Sequence, residues 1–107
     1  MLTTLDIKYL ELIYLGCWNN QLTQFNIYES NLIDLYCHNN QLTILPKLPP
    51  SLIHLSCHNN KLTILPIMPK SLAFLEYKNN PYGETFNKFL IKHSHNIIHA
   101  IKMYHLL

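Results

Sequence analysis

Three cysteines and seven histidines are the side chains in this 107-residue chain most able to carry chemistry. Thiolates attack carbonyls, exchange disulfides or hold soft metals; imidazoles move protons or ligate zinc. Spacing narrows these options. Cys17, Cys37 and Cys57 recur at intervals of 20, so they share one repeated position and do not converge from distant parts of the chain. Free cysteine is a common small buried side chain, and equivalent positions on adjacent parallel strands do not offer disulfide geometry by default. The column, completed by Tyr77, is therefore read as structural. His38 and His58 are also 20 apart and are expected to stack on neighbouring strands, with His54 on the same face. Such imidazoles resist joint protonation, so a modest loss of stability is expected below roughly pH 6. His95 and His99 have the i,i+4 spacing that can hold zinc on a helix, but no acidic residue completes a metalloprotease-like motif. A His-dependent metal binder remains the weaker alternative. Ser56, Ser71 and the histidines form no set of nucleophile, base and orienter. The expectation is no catalytic residue, no metal site, no cofactor and no enzyme.

The elements that position these residues follow from a period of twenty. Leu12, Leu32, Leu52 and Leu72 keep it, as do Leu15, Leu35, Leu55 and Leu75, and Leu22, Leu42 and Leu62. Asparagine pairs recur in the same phase at 19–20, 39–40, 59–60 and 79–80. Strands are predicted over 12–17, 32–37, 52–57 and 72–77, each too short to bury its inward side without a stacked neighbour. Asn20, Asn40, Asn60 and Asn80 then sit where the chain turns inward and backbone groups lose sheet partners. An inward amide satisfies donors and acceptors alike, so these four are read as a ladder. The prolines of Leu45–Pro50 and Leu65–Lys70 forbid regular helix on the return path.

Written out, Leu32-Ile-Asp-Leu-Tyr-Cys-His-Asn-Asn-Gln-Leu42 is L-x-x-L-x-C-x-x-N-x-L, which resembles the leucine-rich repeat. The repeat length and the Leu-Pro-x-Leu/Met-Pro link are similar to the bacterial-effector type, also found in short proteins of large DNA viruses. Over residues 2–81 the resemblance implies an α/β repeat: a right-handed solenoid with a short parallel sheet of about four strands and Pro-rich irregular returns. Coils start near 12, 32, 52 and 72, residues 1–11 form a half coil, and 82–107 form a helical cap. Some effectors of this type carry a ubiquitin-ligase domain with a cysteine nucleophile. Here every cysteine belongs to the repeat column, and the stretch after Pro81 is too short for such a domain.

Alternation along each strand points a second set of residues outward. Tyr14, Gly16 and Trp18 face out from the first coil, followed by Asp34, Tyr36 and His38, then His54, Ser56 and His58, then Phe74, Glu76 and Lys78. Aromatic anchors among polar groups suit a protein-binding patch, and family members vary these positions to choose partners. The expected function is non-catalytic protein binding through Tyr14, Trp18, Asp34, Tyr36, His38, His54, His58, Phe74, Glu76 and Lys78. The alternative is a self-associating or remnant repeat protein without a dedicated partner. The strand at 12–17 exposes a sheet edge, which invites a homo-oligomer. From Glu84 onward, Phe86, Leu90, His93, Ile97, Ile101 and Tyr104 keep a helical stripe, with a possible break at His93–Asn96 and Ser94 capping the second piece.

Composition sets the outer bounds. Charged residues make up 13% of the chain and the formal net charge is +2, with no arginine and no basic cluster, so nucleic acid is not expected as a partner. Two glycines exclude Gly-rich phosphate loops. Asp6, Lys8 and Glu11 interrupt any signal-like core, and no long apolar run suggests a membrane partner. Reduced thiols fit a cytoplasmic setting, that of a host cell if the chain is viral or effector-derived.

Overall fold

A computed structural model describes residues 1–7, 12–27 and 31–105. Residues 8–11 of the expected half coil, 28–30 of the next return and 106–107 of the expected cap lie outside the described residues. Six short strands are followed by two helices: β1 (Asp6–Ile7), β2 (Tyr14–Gly16), β3 (Asn26–Ile27), β4 (Asp34–Tyr36), β5 (His54–Ser56), β6 (Phe74–Glu76), α1 (Glu84–Lys92) and α2 (Ile97–Tyr104).

The principal sheet has four parallel strands in the order β2-β4-β5-β6. Its register equals the sequence period: Leu15 lies opposite Leu35, Leu35 opposite Leu55, and Leu55 opposite Leu75. Backbone bonds repeat in the same phase. Cys17, Cys37 and Cys57 each donate an N–H at 2.9 Å to a carbonyl one strand on, from Tyr36, Ser56 and Glu76. The strands are three residues long, not the six expected. Past the strand ends Asn19, Asn39 and Asn59 still donate an N–H to the next coil, and with Asn79 they adopt φ of 57–58°, the left-handed region that turns the chain. Asparagine is one of the few residues with a Cβ that visits this region routinely.

A second, two-stranded parallel sheet pairs β1 with β3, Asp6 opposite Asn26 and Ile7 opposite Ile27, and the periodicity did not predict it. Its termination has a simple cause. The residues twenty and forty positions after Asn26 are Pro46 and Pro66, which have no N–H to donate to a ladder. The later returns accordingly run as irregular chain.

Between strands and returns lies one apolar core. Leu22, Leu32, Leu35, Leu42, Leu52, Leu62 and Leu65 have no solvent exposure, and Phe25, Leu45 and Met68 join them from the return side. At the ends of the sheet Leu15 and Leu75 are only half-buried, each with one paired leucine among the described residues.

The C-terminal segment forms two helices separated by a 3₁₀ turn over Ser94–Asn96, not one continuous stripe. Ser94 opens that turn and does not cap α2. The N-cap position is Asn96, without a side-chain capping bond. Phe86, Leu90 and Ile101 enter the core cluster beside Leu72 and Tyr77, and Ala100 is also buried. Tyr104 packs 4.8 Å from both Phe86 and Phe89, which holds α2 against α1.

Candidate interaction face

The inward half of each unit determines what the outward half can present. At Asn40 the amide nitrogen donates to the carbonyl oxygens of Cys17 and Cys37 at 3.0 and 3.2 Å, while Oδ1 accepts the Leu22 N–H at 3.0 Å. Asn60 repeats this with Cys37, Cys57 and Leu42. Asn80 bridges Cys57 and Tyr77 and accepts from Leu62; Asn20 accepts from Leu2 and donates to Cys17. Each amide thus ties one unit to its neighbour through backbone groups that the turn removes from the sheet.

Two further features of this scaffold went unread in the sequence. The first asparagine of each pair forms its own outer ladder, Asn39 donating to Asn19 Oδ1 at 2.7 Å and Asn59 to Asn39 Oδ1 at 2.6 Å. Four asparagines at one phase in a chain with two glycines were the available signal for left-handed backbone. At the other end of the column, the Tyr82 hydroxyl donates to the Tyr77 carbonyl, the place an amide takes in the preceding units. Burial holds that phenol protonated well above the usual tyrosine range.

The cysteines line the interior as free thiols. Burial raises Cys17 to about 11 and, with the Glu76 charge adding to it, Cys57 to about 12. Cys37 is also pushed well up, first by burial and then by its two neighbouring thiols. Thiols held protonated behind a leucine wall are poor nucleophiles and poor metal ligands.

On the outward side, side chains of neighbouring strands make one connected surface. The Trp18 indole stacks on the His38 imidazole at 5.5 Å and 6°, and His38 stacks on His58 at 4.4 Å and 9°. Tyr36 meets Tyr14 at 5.4 Å and the edge of Trp18 at 6.4 Å. Trp18 lies flat because Gly16 offers no side chain: a Cβ there would overlap the indole's six-membered ring. The equivalent positions hold Tyr36, Ser56 and Glu76, so this glycine makes room for a neighbour and does not serve a turn.

A second group lies beside the first. Asp34 Oδ1 approaches His54 Nδ1 at 2.5 Å, and the opposite side of that imidazole stacks on Phe74 at 4.6 Å. Glu76, on β6, and Lys78, just after it, are exposed at the far edge of the face. Tyr14 is 48% exposed, Trp18 41% and Phe74 60%, whereas Asp34, Tyr36, His38, His54 and His58 are half-buried by their neighbours. The face therefore offers ring edges and faces held by stacking, with one carboxylate–imidazole contact, not independent side chains in water.

Among the described residues no three His, Cys, Asp or Glu side chains converge as metal ligands. His95 falls in the 3₁₀ turn and His99 in α2, with the nonhelical Asn96 between them, so the two do not share a helix face. An open groove of about 350 Å³ between the last strand turn and α1 is lined by Lys78, Tyr82, Asn87 and Ile91 among others. No described helix is long and apolar enough to cross a membrane. Comparison with protein-family models, with curated proteins and with solved structures finds no match to this chain.

Proposed function

We propose that the chain is a leucine-rich repeat solenoid acting as a non-catalytic protein-interaction module, with the partner seated on the outward strand face. The observation that carries the reading is the joined surface of Tyr14, Trp18, Tyr36, His38 and His58. Its aromatic rings are partly exposed and no inward column depends on them. Rigid aromatics with few rotatable bonds are the usual anchors of protein interfaces, because ordering them on binding costs little entropy. Protonated buried thiols fit a reducing, cytoplasmic setting.

Affinity purification tests this reading with three baits: the wild type, the Trp18→Ala/Tyr36→Ala double variant and the Lys47→Ala control on the return side. Polypeptides captured by wild type and control but lost from the double variant support it. Identical capture by all three baits rejects it.

A second reading, self-association, is favoured by the position of β2. Among the described residues this strand has one sheet neighbour, and its open edge carries unpaired backbone groups of the kind that template pairing with another chain. Residues 12–20 carry no charge to oppose a second copy. Light scattering of wild type and Ile13→Lys separates the readings: a dimer mass that the lysine abolishes supports it, and a monomer at high concentration removes it.

A further inference from the structure

We infer that the Trp18–His38–His58 stack is a proton-operated latch: two neutral imidazoles hold the indole flat on the face, and protonation of the pair parts the rings and frees Trp18. That this latch governs partner binding rests on the interaction-face reading; the latch itself does not.

Three observations support it. The two imidazoles lie face to face with ring centroids 4.4 Å apart, so a charge on one directly opposes a charge on the other. Nδ1 of His38 and Nδ1 of His58 are both buried without a hydrogen-bond partner. A neutral ring can leave that nitrogen bare and carry its proton on Nε2, but an imidazolium must place an N–H there, buried with no acceptor. Burial and the facing His58 accordingly lower the proton affinity of His38. The indole then rests on the ring whose charge state changes.

The surrounding groups do not offset this. Lys78 follows His58 at the next position of the same column and is a cation, not an acceptor. Asp34 is engaged by His54. Tyr36 packs against the indole and Tyr14 against Tyr36. Glu76, on β6, is exposed to solvent. His54 differs from the pair in that the Asp34 carboxylate approaches its Nδ1.

Trp18 is the chain's single tryptophan, which makes the test direct. Emission of Trp18 and the ring-proton shifts of His38 and His58 are followed from about pH 8 to about pH 4.5, with far-UV circular dichroism as the check on folding. In wild type, Trp18 emission changes in step with protonation of the pair, which titrates over a broadened range. In His58→Gln the His38 transition moves upward by roughly half a pH unit or more, because the facing charge is gone. In His38→Gln the Trp18 response disappears while His58 still titrates. Flat Trp18 emission in the folded wild type overturns the latch, as does a His38 transition that His58→Gln does not move. Should either variant fail to fold, the wild-type titration decides alone: two independent single-site curves at the ordinary histidine value overturn the proposal, and coupled curves support it. No partner enters these readouts, so the latch and the interaction-face reading fail separately.

Discussion

The inner columns and the outer face of the same strands obey opposite rules. Inward, leucine sits opposite leucine, cysteine opposite cysteine and asparagine beside asparagine, each in register with its counterpart twenty residues away. Outward, the same register places Trp18 beside His38 and His38 beside His58, and His54 between Asp34 and Phe74. Repetition inside reflects close packing, in which a volume or hydrogen-bond pattern that suits one unit suits the next. Variation outside means that stability leaves these positions free, and a surface released from that constraint is available for recognition.

Changes to the interior should test this contrast most severely. Leu55→Ala, at a fully enclosed position in the middle of the sheet, is expected to cost about 2–5 kcal/mol as a lower urea midpoint. Phe74→Ala on the outer face should stay within about 1 kcal/mol. Equal losses would end the distinction between the two faces.

Removing an amide comes next. Asn60→Ala orphans the backbone groups of Cys37, Cys57 and Leu42 and is expected to cost about 1–3 kcal/mol in the same assay. Asn59→Val sharpens the comparison within one dipeptide. A β-branched residue held at positive φ should cost about 1–2 kcal/mol, whereas Asn59→Gly avoids that strain and should cost less.

Proton linkage separates the faces by sign. Cys17 and Cys57 have folded values near 11 and 12 against 9.0 unfolded, so their contribution is complete below pH 9.0 and is lost as pH rises through that interval. His38 is lowered from 6.5, so its contribution is present above 6.5 and is lost as pH falls below it. Urea midpoints across pH should therefore decline at both ends, the alkaline loss tracing to the interior and the acidic one partly to the face. His38→Gln should blunt only the acidic decline.

The smallest effect is expected where function is proposed. Trp18→Ala with Tyr36→Ala should shift stability by roughly 1 kcal/mol or less per site, because the rings remain partly in water. A larger loss would mean that the aromatic face supports the fold, and the case for a free binding surface would weaken.

What could be read from the residues depended on what the period controls. The leucine and cysteine columns and the second asparagine of each pair follow from translation by twenty, which superposes equivalent inward side chains. The β1–β3 pairing did not follow, since two residues hold no alternation to recognise, and only Pro46 and Pro66 explain why it stops. The left-handed Asn19, Asn39, Asn59 and Asn79 were visible as a repeat but not as a conformation. Ser94 was expected to cap α2, yet the chain uses a 3₁₀ turn that places Asn96 at that junction.

The sequence by itself determined which side chains enter the dry interior, because a strict period leaves apolar surface no other place to be buried. It also determined that His38 and His58 are neighbours. Only the tertiary structure decided that Trp18 lies across Gly16 onto His38, that Asp34 meets His54, and that Tyr82 closes the last carbonyl of the column. Those outcomes depend on rotamers, and a rotamer is chosen by the volume that surrounding residues leave open, a quantity no spacing along the chain contains.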